Sequence, residues 1–92
     1  MTSTHSFQFP SGLPTDFRAW DEEQVAQFLV VNQDLYRFRE DEIQTVKRER
    51  IDGKALLSLQ VEHLRTLNIP LGPAIKIIHL ISELKGGQET GK

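Results

Sequence analysis

Leu71-Gly72-Pro73-Ala74-Ile75-Lys76-Ile77-Ile78-His79-Leu80-Ile81-Ser82-Glu83-Leu84 is the stretch whose reading decides the fold. Gly72 suits a helix N-cap and Pro73 the first helical position, where no backbone N–H needs a partner. At roughly 100° per residue the apolar side chains sweep an arc of about 220°, from Leu80 through Leu84, Ile77, Ile81 and Ala74 to Leu71 and Ile75. Ile78 and Ile81 are expected in the middle of it. Lys76, His79 and Glu83 share the remaining face. A surface helix shows a narrower stripe, so the spacing predicts a long last helix across the middle of the domain, with other helices packed on it. Gly86-Gly87 is expected to stop it. Core packing alone accounts for most of these residues; the first turn is where chemistry is left over.

Working outward, Asn68 marks the end of a preceding short helix, from about Val61 to Leu67, because Asn tolerates the left-handed conformation that such an exit needs. Before it, Ile51-Asp52-Gly53 punctuates the chain, and Asp52 can cap a short helix through Lys54-Ala55-Leu56-Leu57-Ser58-Leu59. Near the start of the folded part, Asp21 can cap a helix carrying Val25, Phe28 and Leu29 on one face, with Trp20 tucked beneath. Asn32-Gln33-Asp34 breaks that pattern and starts a second helix. Its apolar residues Leu35, Phe38, Ile43 and Val46 slip from the ideal period, so a kinked helix and two short helices fit equally well. No alternating strand pattern and no internal repeat occurs. The expectation is an all-α domain of five helices with short links.

Residues 1–16 read as a flexible N-terminal arm, mixing Ser, Thr, Pro10, Gly12 and Pro14 with Phe7 and Phe9. The two phenylalanines suit either a cover for the core or a short docking peptide. Residues 86–92 read as a flexible tail, which leaves 17–85 as the domain. Ninety-two residues with 38% hydrophobic content suit one small core. The absence of cysteine excludes disulfides, zinc-thiolate sites and thiol catalysis. No apolar run reaches the roughly 18 residues of a membrane span, and Met1-Thr2-Ser3-Thr4-His5-Ser6 has no signal-peptide pattern. A soluble intracellular protein, nuclear or cytoplasmic, is the expectation. The net charge of −2 and pI of about 5.9 give no global pull toward nucleic acid or anionic lipid.

Taken together, Trp20, Val25, Phe28-Leu29, Phe38, Ile51-Asp52-Gly53-Lys54-Ala55-Leu56-Leu57-Ser58-Leu59, Glu62-His63-Leu64, Leu67-Asn68-Ile69 and Leu71-Gly72-Pro73-Ala74-Ile75-Lys76-Ile77 resemble a sterile alpha motif (SAM) domain. The resemblance runs from about Phe17 to Lys85. The start of the last helix is most similar to SAM domains of Polycomb-group and MBT-repeat chromatin proteins. Two departures stand out: the stretch between Leu29 and Ile51 is several residues longer than usual, and Asn68 stands where glycine is common.

No enzymatic pattern emerges. The six glycines form no phosphate loop, the histidines His5, His63 and His79 have no metal-ligand spacing, and the acids are spread over helix surfaces. No catalytic residue, metal or cofactor is expected, and His63 reads as a packing or capping residue. Glu40-Asp41-Glu42 followed by Lys47-Arg48-Glu49-Arg50 reads either as a solvated helix with its own ion pairs or as an interaction surface. The resemblance implies the second: an acidic middle surface of one SAM domain meets the start of the last helix in the next. Carried onto this chain, it implies Glu40, Asp41, Glu42, Asp52 and Glu62 for the acidic surface. It implies Gly72, Pro73, Ala74, Lys76 and His79 for the other.

Elementary electrostatics supports that second surface. A helix N-terminus carries partial positive charge and free N–H donors, and Lys76 adds a full charge within about a turn of it. An acidic partner turns that mildly unfavourable placement into attraction. The implied partner is another copy or another SAM-domain protein, head to tail. The rival from another class is an RNA or a lipid headgroup at the same positive start. With only Arg65 or Lys85 to support Lys76, its phosphate contacts are too few, and nucleic acid is disfavoured.

Overall fold

The computed structural model describes residues 8–88. Its helices are α1 (Glu22–Val31), α2 (Gln33–Tyr36), α3 (Glu40–Arg48), α4 (Val61–Thr66) and α5 (Leu71–Gln88). Single 3₁₀ turns lie at Phe17–Ala19 and Ala55–Leu57. The closest packing pairs are α1 against α3 and α4 against α5.

α1 begins as its sequence requires. Asp21 Oδ1 accepts from Gln24 N at 2.8 Å, and Gln24 Oε1 accepts from Asp21 N at 3.0 Å. That reciprocal pair satisfies two otherwise free donors. Val25, Ala26, Phe28 and Leu29 then face inward. The slip in the following apolar spacing is a break into two helices. Arg37 takes the left-handed conformation at φ 61°, Phe38 N donates to Gln33 O at 3.1 Å, and α3 starts afresh after Arg39. Leu35, placed on a buried face by spacing, is exposed.

α3 and α4 end alike. Past α3, Ile51 N donates to Val46 O and Arg50 N to Lys47 O; past α4, Ile69 N donates to Leu64 O and Asn68 N to Arg65 O. Arg50 and Asn68 hold φ of 60° and 69°. These are the paired bonds of a Schellman exit, closed each time by a buried apolar contact partner, Ile51 or Ile69. The expected helix over 54–59 is shorter, one 3₁₀ turn capped by Asp52 Oδ1 on Ala55 N at 3.0 Å.

Three expectations for α5 need correction. The helix begins at Leu71, with Ala74 N donating to Pro70 O at 2.9 Å, so Gly72 and Pro73 lie inside the first turn. Pro73 still costs nothing there, because none of the first-turn N–H groups has a partner within the helix. Gly86 and Gly87 do not stop the helix, which continues to Gln88. Glycine lowers helix propensity by about 1 kcal/mol but ends a helix only where the backbone turns left-handed. The buried stripe is also narrower than the apolar arc. Ala74, Ile77, Leu80, Ile81 and Leu84 are buried and Ile78 is half-buried, while Leu71 and Ile75 stand 52% and 51% exposed.

Those five residues join Val25, Phe28, Leu29, Ile43, Val46, Leu56, Leu64 and Ile69 in one core. Trp20 lies in it as expected, its ring 5.2 Å from Phe28 and edge-on to Phe17. Its Nε1 donates to Pro14 O at 2.8 Å. The segment before Phe17 also packs. Phe9 lies 5.7 Å from the Trp20 ring, and Leu13 rests on the core. Gln8 N donates to Asn32 Oδ1 at 2.6 Å, and Asn32 Nδ2 returns a bond to Gln8 O at 3.0 Å. Phe9 thus takes the covering role that its sequence left open; Phe7 lies outside the described residues, as do His5 and the tail beyond Gln88.

Candidate functional site

The acidic residues singled out from sequence divide by burial. Glu40 and Asp41 open α3 and are exposed. Glu40 Oε2 accepts from Gln44 Nε2 at 3.4 Å, and Asp41 Oδ1 lies 3.8 Å from Arg39 Nε. Both are loose, solvated contacts that a partner could replace at little cost. Glu42 is different. It is buried, and its Oε1 accepts from Arg39 N at 2.9 Å. That carboxylate caps α3, so Glu42 is corrected from a surface residue to a structural one. Asp52 is half-buried and caps the 3₁₀ turn, and Glu62 is exposed in the first turn of α4. Among the described residues, no hydrogen bond or ion pair joins Asp52 or Glu62 to Glu40 or Asp41.

The basic residues after them do not pair within α3. Lys47 Nζ reaches Glu23 Oε2 at 3.5 Å and Arg50 Nε reaches Glu22 Oε2 at 3.8 Å, both in the first turn of α1. Acids at the start of α1 and bases at the end of α3 complement both helix dipoles. Among the described residues neither Glu40 nor Asp41 has an ion pair with a basic residue of another helix.

At the start of α5, Gly72 is exposed, Pro73 half-buried and Ala74 fully buried. Ala74 therefore offers no side-chain surface, a second correction. Lys76 is exposed and has no ion pair among the described residues. His79 Nε2 lies 3.6 Å from Glu83 Oε2, so its own helix already supplies a carboxylate. Leu71 and Ile75, assigned to the core by periodicity, belong to this surface instead. The arc of about 220° alone did not separate them from the core, because the neighbours that cover a helix set how much of its apolar arc is buried.

Among the described residues no group of three His, Cys, Asp or Glu is placed to hold a metal. His63 is a capping residue, its Nδ1 accepting from Gln60 N at 3.0 Å. Outside both faces, side-chain hydrogen bonds from Arg18 hold the Asp16 carboxyl below the usual carboxylate range. Among the described residues no helix is long and apolar enough to cross a membrane.

Comparison with known proteins agrees with this architecture. The SAM-like domain family matches residues 1–83. The chain belongs to that family. It is 38% identical over 74 residues to Polyhomeotic-like protein 2 of Danio rerio, covering 79% of this chain and 8% of that protein. Against Polyhomeotic-like protein 1 of Homo sapiens the identity is 38% over 77 residues, or 83% of this chain and 7% of that protein. Lethal(3)malignant brain tumor-like protein 4 of Mus musculus is 37% identical over 72 residues, 77% of this chain and 11% of that protein. The SAM-like chain thus spans about a tenth or less of the length of these three relatives. No solved structure gives a significant match.

Proposed function

We propose that this SAM-like domain is a protein–protein interaction module, with no catalytic role, that associates head to tail with another copy or another SAM domain. Glu40 and Asp41, with Asp52 and Glu62, form the acidic face. Gly72, Pro73, Lys76 and His79, with Leu71 and Ile75, form the complementary face. The setting is an intracellular scaffold in transcriptional repression or signalling. One observation carries the reading: the start of α5 presents two exposed apolar side chains beside a lysine with no ion-pair partner among the described residues. The free N–H donors of the first turn add positive potential there. Neither core packing nor an internal salt bridge accounts for that combination.

Sedimentation over a concentration series tests it. The chain is expected to self-associate by hundreds of micromolar or to bind a second SAM domain, and Lys76→Glu is expected to abolish either. A wild-type chain that stays monomeric and also ignores Polyhomeotic-like SAM domains would sink the reading. RNA provides the opposing arm. Lys85 Nζ is turned onto Leu57 O at 3.4 Å, which leaves Lys76 with little support against phosphate. Hairpin RNA is therefore expected to bind no tighter than about 100 μM at physiological salt. A micromolar complex with a defined hairpin would favour the rival.

A further inference from the structure

We propose that the apolar groove bounded by the strap Gln8–Pro10, α1 and α3 receives Leu71 and Ile75 from the α5 start of a second copy of this chain. The inference rests on the head-to-tail reading above and supplies the apolar half of that contact.

The strap is held in place by the reciprocal bonds between Gln8 and the buried Asn32 and by the Phe9 ring on Trp20. It sets Pro10 along α1, where Pro10 and Val31 line two adjoining depressions. One opens toward Phe9 and Leu35. The other, about 280 Å³, runs between α1 and α3 over Ala26, Val30 and Ile43, with the paired Glu23 and Lys47 also lining it. Small-molecule sites are typically deeply enclosed, so an open, shallow groove suits inserted side chains better. Val30 and Val31 are 49% and 42% exposed beside it, and Phe9 and Leu35 are 40% and 54% exposed.

A monomeric domain rarely leaves such a group uncovered. Leu71 and Ile75 are the counterpart, spaced i,i+4 on one face of α5. Together the two patches take six of the seven exposed large apolar residues among those described; the seventh is Leu57. The depression beside the groove is mixed in charge, Arg39 and Arg48 lining it with Glu40 and Asp41, and the two acids are the part of it that suits an incoming lysine. Gln44 lines the groove and also the neighbouring depression that Glu40 and Asp41 line, and it donates to Glu40. A copy docked through Ile75 brings its Lys76 toward those acids. Because groove and helix start are different surfaces, the contact is heterologous.

A double-mutant cycle tests the pairing between two one-sided chains. Glu40→Lys with Asp41→Lys gives a donor that keeps its helix start, and Lys76→Glu gives an acceptor that keeps its groove. Ile75→Ala is placed in the donor and Val30→Ala in the acceptor, and each affinity is measured by calorimetry. Both residues are about half exposed, and thermal melts verify that each variant folds. Each change is expected to weaken binding about fivefold or more, and the two together by clearly less than the product of their factors. Leu57→Ala is expected to change nothing. Multiplying effects, or a Val30→Ala chain that binds as before, overturn the groove while leaving head-to-tail association standing. If the unaltered donor and acceptor fail to bind each other, the groove and association between copies of this chain both fall, and only a different SAM domain is left as the head-to-tail partner.

Discussion

Gly53 sits where two segments meet backbone to backbone. Its N–H donates to Trp20 O at 2.9 Å, and a Cβ placed there would overlap the carbonyl oxygen of Phe17. A side-chain neighbour could rotate away, but a carbonyl in a 3₁₀ turn cannot. Gly53→Ala is therefore expected to cost about 3 kcal/mol, read by urea unfolding, at the upper end of overpacking losses. A loss under about 0.5 kcal/mol would show that the two segments separate freely. Gly72 provides the contrast, since nothing lies within 4 Å of its added Cβ. In sequence Gly53 read as punctuation and Gly72 as a helix cap. The left-handed Asn68 was legible because Asn has a local preference for that conformation. The need for glycine at position 53 was not, because it comes from Phe17, far away in the chain.

Elements were legible where local chemistry sets them and obscure where tertiary contacts do. Asp21 and Asp52 cap as their sequences indicate. The break between α2 and α3 was visible as a slip in period, but its form depends on Arg37 accepting a positive φ that side chains usually avoid. The buried stripe of α5 could not be bounded from sequence, since its width is fixed by the neighbours that cover it. That stripe makes an ordered prediction. Ile81 is 3% exposed, Ile78 half-buried and Ile75 51% exposed. Truncation to Ala should cost about 2–5 kcal/mol at Ile81, about 1 kcal/mol at Ile78 and almost nothing at Ile75. Equal losses at Ile81 and Ile75, in the same urea series, would mean that α5 is rotated from the orientation described.

For the whole molecule, the all-α SAM architecture could be read from the chain because caps, periods and exits agree with one another. The faces were half legible: charge shows in sequence, but whether Glu42 and Ala74 point in or out does not. What the two remaining faces imply is set by symmetry. They differ, so a contact between them repeats without closing unless the rotation happens to complete a ring. A wild-type chain should then grow with concentration instead of stopping at a dimer. Lys76→Glu removes the positive face and leaves the acidic one; Glu40→Lys with Asp41→Lys does the reverse. Each alone should be monomeric, because neither keeps both halves of the contact. Mixed, they hold one good acidic face and one good helix start, enough for a single contact, so light scattering should register a one-to-one complex and nothing larger. Raising salt should weaken it, since Glu40, Asp41 and Lys76 are all exposed and their attraction is screened over about 10 Å at 0.1 M. The weakening should be partial, because burial of Leu71 and Ile75 does not depend on ionic strength in that way. Mutants that each self-associate as the wild type does would place the contact on other surfaces.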